Sequence, residues 1–187
     1  MRKTSDLQVT KIFTISIFIF LAGLFAGLFF STGISDENST YLSGVLISSI
    51  SDPSSGFFKT FFSSLISDLL LCAIMMISVF SKFLCPLPFL ILWYKSFAVG
   101  FCSYLLYAGN AENPLIMSIV KLLPQNIVLL PAFICLAAAL FAYSKAELAK
   151  SKRPSHEKKG LQNIVFISLA AVAAGCMIEA IFSMVKL

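Results

Sequence analysis

Four ionisable side chains, Asp68, Lys95, Lys121 and Glu179, stand inside stretches that are otherwise almost wholly apolar. A charge in hydrocarbon is costly, so residues of this kind pair with one another, reach for an interface or serve a function. Catalysis finds little else to use. There is no H-E-x-x-H, no G-x-S-x-G and no phosphate-cradling glycine loop, and the one histidine, His156, lies in a basic segment. Asp36, Glu37, Asp52 and Glu112, outside the apolar stretches, assemble no catalytic set, and Asp68 lacks the second aspartate of an intramembrane aspartyl protease. The five cysteines (Cys72, Cys85, Cys102, Cys135 and Cys176) show no C-x-x-C spacing, which leaves no basis for a zinc site or a disulfide framework. They read as small packing residues. The expectation is a non-enzymatic chain with no catalytic residue, metal or cofactor.

The elements that must position these charges follow from composition. With 58% hydrophobic residues, 12% charged residues and a mean hydropathy of +0.92, the chain cannot cover a soluble domain of 187 residues with a polar surface. An all-α, polytopic membrane protein remains, expected as one membrane domain over residues 1–187. A hydrocarbon core about 30 Å thick takes roughly 20 apolar residues per helical crossing. Five runs qualify, approximately 12–30, 60–80, 87–107, 115–143 and 161–185. The first is longer than a signal h-region and no A-x-A site follows it, so it is expected to be a retained span.

Lysine and arginine placement orients the spans. The segment before the first span, the turn between the second and third, and "SKAELAKSKRPSHEKKG" between the fourth and fifth hold ten of the 14 basic residues. Five crossings with the N-terminus in the cytoplasm and the C-terminus outside satisfy the positive-inside rule at every loop. The net charge of +5 is then a topology signal near anionic lipid, and no folded basic face for nucleic acid is expected.

In that frame the depths of the four charges can be compared. Lys121 and Glu179 lie about 9 Å, and Asp68 about 12 Å, below the outer edge, while Lys95 lies about 12 Å from the inner edge. Side chains lean toward the N-terminus of their helix, which lets both lysines snorkel and leaves Glu179 in need of a partner. Matched depth makes Lys121–Glu179 the expected pair, with Asp68 competing for Lys121.

Other features concern packing. Gly23 and Gly27 form a G-x-x-x-G, which permits close backbone approach to another span of this chain or, in a homo-oligomer, to a second copy. Leu42, Val45, Leu46 and Ile50 make a helical stripe opposite Ser43, Ser48 and Ser49, too short to span. It reads as an interfacial helix on the outer leaflet or a docking surface for a partner. In the fourth run, 29 residues long, Pro124 and Pro131 share a face and each removes a helical hydrogen bond, so this span is expected to be kinked or broken. Gln125 and Asn126 offer donors to the freed carbonyls. The segment packs as a buried kink or lines a wet cavity.

Two segments resemble the stage II sporulation protein M family. "KSFAVGF" (Lys95 to Phe101) is similar to the family's K-G-F-x-x-G-F, with Ser96 in place of glycine, and "LLPQNIVLLPA" (Leu122 to Ala132) to its L-P-Q-N followed by an apolar run and P-A. The resemblance places Lys95, Phe97, Gly100, Phe101, Pro124, Gln125, Asn126 and Pro131 at motif positions. It implies a bacterial cell-membrane protein of endospore formation, acting in engulfment at the septum. There it anchors and recruits two peptidoglycan-degrading partners, stage II sporulation proteins D and P, and is not itself the hydrolase. The alternative is a permease or transporter subunit, suggested by the interrupted span with Lys95 and Asp68.

Overall fold

The computed structural model describes residues 2–50, 57–80, 82–108, 123–148 and 155–183. Among these it has six α-helices and no strand: α1 (Arg2–Thr32), α2 (Asp36–Ile50), α3 (Phe57–Ile77), α4 (Leu87–Ala108), α5 (Leu123–Leu148) and α6 (Ser155–Ser183). Five contain a stretch long and apolar enough to cross a bilayer: Thr10–Thr32, Phe57–Ile77, Leu87–Tyr107, Pro124–Ser144 and Gln162–Phe182. Each is 21–23 residues, so the backbone N–H and C=O groups at membrane depth are satisfied largely within their own helices, Pro131 excepted.

Two boundaries differ from the sequence reading in ways that matter later. The second span begins three residues earlier, at Phe57. In the fourth, Pro124 falls in the first turn of α5, where its missing N–H has no intrahelical partner to lose, and only Pro131 lies inside the helix. α5 runs 26 residues from Leu123, and residues 115–122 of the expected span lie outside the described residues. Pro86 also stands at a helix start: its carbonyl accepts from the N–H groups of Phe89 and Leu90, closing the first turn of α4 at 3.1 and 3.2 Å.

α1 packs chiefly on α4, and the contact is made by backbones. A Cβ added at Gly23 would lie 2.6 Å from the Trp93 carbonyl oxygen, and one at Gly27 would lie 2.9 Å from the Phe101 nitrogen and closer still to the Phe97 carbonyl. Gly100 of α4 reciprocates against the carbonyl of Leu24. The G-x-x-x-G face is therefore occupied within the chain, which removes Gly23 and Gly27 from the surface available to a second copy. Ser96, at the motif's glycine position, is fully buried and returns its hydroxyl to the carbonyls of Leu92 and Trp93 at 2.8 and 2.9 Å. Buried Ser16 and Ser31 likewise donate to carbonyls of their own helix. A serine satisfied in this way packs as a small apolar residue.

α2 follows from the Ser35 cap, whose carbonyl accepts the Ser39 N–H at 2.9 Å. Its acidic first turn, Asp36 and Glu37, suits the positive end of the helix dipole. The helix exists as expected, with Leu42 and Leu46 of its apolar stripe half-buried. α2 packs on α4, its buried positions are Ser39 and Ser43, and Val45 is half exposed; the Ile50 side chain lies outside the described ones. Small side chains let this helix sit close to α4, whereas Val45 meets lipid or headgroups without penalty.

α5 packs most on α6, with Gly175 receiving the side chain of Leu129, and also touches α1 and α4. α3 packs on α6 and only marginally on α4 and α5. Met75, Leu92, Leu129, Phe133, Leu136, Val172 and Cys176 form the shared core. Outward, Phe18, Phe29, Ile66, Leu70 and Phe166 are well exposed, which for a bilayer-spanning helix is the lipid face.

Candidate functional site

Inside this bundle the polar side chains converge. Asp68 of α3, only 3% exposed, accepts a hydrogen bond and ion pair from the Lys95 ammonium of α4. That ammonium also stands 5.6 Å from the centre of the Phe133 ring of α5, a cation–π contact. The Cys176 thiol of α6 lies 3.8 Å from the second carboxylate oxygen of Asp68 and points at it. Glu179, three residues further along α6, meets the first turn of α5. With its amide turned to donate, Gln125 Nε2 is 2.9 and 3.3 Å from the two Glu179 oxygens. The Ser64 hydroxyl of α3 donates to the same carboxylate. A carboxylate beside the N-terminus of α5 is also favoured by the helix dipole.

Ser64 and Asp68 are four residues apart on one face of α3, as Cys176 and Glu179 are three apart on α6. α3 and α6 pack along these faces, so one polar seam joins Ser64, Asp68, Cys176 and Glu179. Lys95 and Gln125 close it from α4 and α5. Two carboxylates and one ammonium are the formal charges of this cluster among the described residues. No group of three or more histidine, cysteine or acidic side chains able to hold a metal occurs among them.

The sequence reading placed some of this correctly and some not. Asp68 is paired, but with Lys95; Lys121, its expected competitor partner and the expected partner of Glu179, lies outside the described residues. Lys95 does not snorkel, because its ammonium finds Asp68 and Phe133 inside the bundle. The reason is register: Asp68 stands nine residues before Ile77 and Lys95 eight after Leu87, about 13 and 12 Å from the turn that joins α3 to α4. A three-residue slip in the start of α3 had hidden that match. Ser64, Phe133 and Cys176 were missed as site residues; the Ser64/Asp68 spacing on one helix face was the available signal.

The motif residues divide between two tasks. Phe97, Gly100 and Phe101 face α1, where the Phe97 and Phe101 rings lie 5.8 and 6.3 Å from that of Phe30. Lys95, a residue earlier and so about 100° round the helix from Ser96, points instead into the seam. Asn126 is buried and engaged, Gln125 holds Glu179, and Pro131 sits exposed on the lipid side of α5.

The profile of the family described as stage II sporulation protein M matches residues 16–184, nearly the whole chain. The chain belongs to the stage II sporulation protein M family. Membership makes it a sporulation-related membrane protein. No curated protein and no solved structure matches it. In this family member the two motifs thus meet through the packing of α4 and α5, one supplying the ammonium and the other the amide of a single polar cluster.

A graded loss is expected at Glu179. Glu179→Gln keeps an acceptor for Ser64 and Gln125 and should cost less thermal stability in detergent than Glu179→Leu. Glu179→Leu strands both donors and should cost about 1–2 kcal/mol.

Proposed function

We propose that this stage II sporulation protein M family member is a non-enzymatic membrane scaffold of endospore formation. In this reading it sits in the septal or engulfing membrane with its N-terminus in the cytoplasm and its C-terminus outside, and holds peptidoglycan-degrading partners, stage II sporulation proteins D and P, at the site of wall remodelling. One observation supports the reading beyond family membership: among the described residues, the charged side chains deep in the spans, Asp68, Lys95 and Glu179, are engaged with neighbouring helices, which suits a role in holding those helices in register. The alternative is a permease or transporter subunit, for which recovery of a transport ATPase would speak. Lysine distribution supports the orientation.

Affinity capture of the tagged protein from sporulating cells tests the scaffold. Co-recovery of cell-wall hydrolases is the expected result, and recovery of a transport ATPase in their place would overturn it. Reporter fusions after Arg153 and Leu187 should give cytoplasmic and external signals, respectively.

We further propose that Lys121 supplies the cluster's second positive charge at Glu179. Glu179→Gln should then lower the protein's level further than the hydrogen-bond count predicts, and Lys121→Met should restore part of it. Additive losses in the double variant would exclude the coupling.

A further inference from the structure

Phe80 and Phe83 are 88% and 93% exposed, more than any other large apolar side chain among the described residues. Both belong to the short turn between α3 and α4, and neither lies on the side of a spanning helix, where lipid exposure is expected. The rest of the turn is tied to the bundle. Ser78 is buried and its carbonyl accepts from the Ser144 hydroxyl at 3.1 Å, Val79 packs against the shared core, and Leu84 and Cys85 are half-buried. The N–H groups of Ser78, Val79 and Phe80 donate to the carbonyls of Met75, Met76 and Ile77 at 3.2, 3.1 and 3.0 Å, tightening the end of α3 into 3-10 geometry. A short 3-10 helix, Lys82–Leu84, precedes α4. A hydrogen-bonded turn thus holds two phenyl rings away from the protein.

Depth decides what receives them. The 21 residues of α3 make a helix of roughly 31 Å, which fills a hydrocarbon core of about 30 Å. Phe80, three residues beyond Ile77 at about 2 Å each, then lies roughly 6 Å past the edge of that core. The headgroup layer is itself roughly 5–7 Å deep on each side. We propose that Phe80 and Phe83 insert at the boundary between headgroups and acyl chains, as a two-ring lipid anchor of the α3–α4 hairpin. The occupant is lipid, because a soluble partner would have to displace headgroups to reach rings held at this level. In the orientation proposed above the anchor sits in the inner leaflet, but the depth argument holds for either leaflet. Interfacial aromatic anchors set the axial position of a span. Asp68 and Lys95 stand about 13 and 12 Å from this turn, so the anchor fixes the depth at which their ion pair is held.

The test places a tryptophan at each position in turn, in the full chain reconstituted into phosphatidylcholine vesicles. Trp93→Phe removes the one native tryptophan, and Phe83→Trp or Phe80→Trp then reports alone. Both positions are exposed, so the indole displaces no packed neighbour, and circular dichroism checks that helix content is kept. The bromine-labelled lipid is present in both leaflets, which makes the outcome independent of orientation. The expected result at both positions is emission blue-shifted from that of free tryptophan, strong quenching by lipid brominated close to the headgroup, weaker quenching by lipid brominated at the chain end, and little by iodide. Emission at the wavelength of free tryptophan with strong iodide quenching, at either position, would overturn the anchor and leave the turn a water-facing surface open to a soluble partner. Strongest quenching by chain-end bromine would also overturn it, because the turn would then lie within the hydrocarbon and could not mark its edge.

Discussion

Lys95→Met should remove most of the folded protein from the membrane. The substitution leaves the Asp68 carboxylate buried with a thiol and no cation, and breaking a buried pair from one side costs about 3–5 kcal/mol. That is a large part of the stability of a typical domain, roughly 5–15 kcal/mol. Asp68→Asn alone should do similar damage, because Lys95 then keeps only the Phe133 ring as a partner. The two together should recover much of the loss, since a neutral amide beside a thioether leaves no uncompensated charge. Protein level in membranes and thermal unfolding in detergent check all three variants. A double variant whose loss equals the sum of the two single losses would show that the pair is not coupled, and the polar cluster would then be a set of independent residues.

How much of this was legible before folding depends on what kind of signal each feature leaves. The five crossings are written in composition, because a bilayer demands long apolar runs and forbids lipid-exposed irregular backbone. The close α1–α4 contact is equally visible in Gly23 and Gly27, although the choice between an internal helix and a second copy is made only by the whole bundle. Pairing of the charges was harder. Depth is measured from the span ends, and moving the start of α3 by three residues shifts Asp68 by about 4.5 Å, enough to separate it from Lys95. Counting outward from the shared α3–α4 turn avoids that error, because both residues are then referred to one fixed point.

The inner face of α2 is not written in its apolar stripe, for a more general reason. An apolar stripe marks the buried side of a helix in water, where burial of Leu42, Val45 and Leu46 is the driving force. Beside lipid that driving force is absent, and close approach favours small residues, so Ser39 and Ser43 take the inner face. The same rule accounts for buried Ser16, Ser31 and Ser96 along α1 and α4. Read with it, the buried serines and glycines of α1, α2 and α4 mark where these helices approach one another. Gly44 and Gly160 are exceptions. Gly44 lies in α2 with nothing within 4 Å of an added Cβ, so Gly44→Ala should stabilise that helix by about 0.5–1 kcal/mol.

Gly27→Leu carries the opposite expectation, and the two substitutions together separate propensity from packing. Leucine is a better helix former than glycine, so an isolated α1 would gain from the change. In the folded chain the new side chain has no volume to enter. Its Cβ alone meets the Phe97 carbonyl and the Phe101 nitrogen, and backbone cannot swing aside as a flexible side chain does. Overpacking a core with a methylene or two costs about 1–3 kcal/mol. Here four carbons must be placed against main chain, so the helices must part. Parting them removes the Phe30 ring from Phe97 and Phe101 and uncovers Ser31 and Ser96, whose neighbours are on the facing helix or beside it. The loss should therefore exceed that of Gly27→Ala, which should in turn exceed any change at Gly44. Thermal unfolding of the three variants in one detergent gives the order. A Gly27→Leu protein as stable as the parent would mean that α1 is held to the bundle elsewhere, and that the motif glycine Gly100 faces α1 without packing tightly on it.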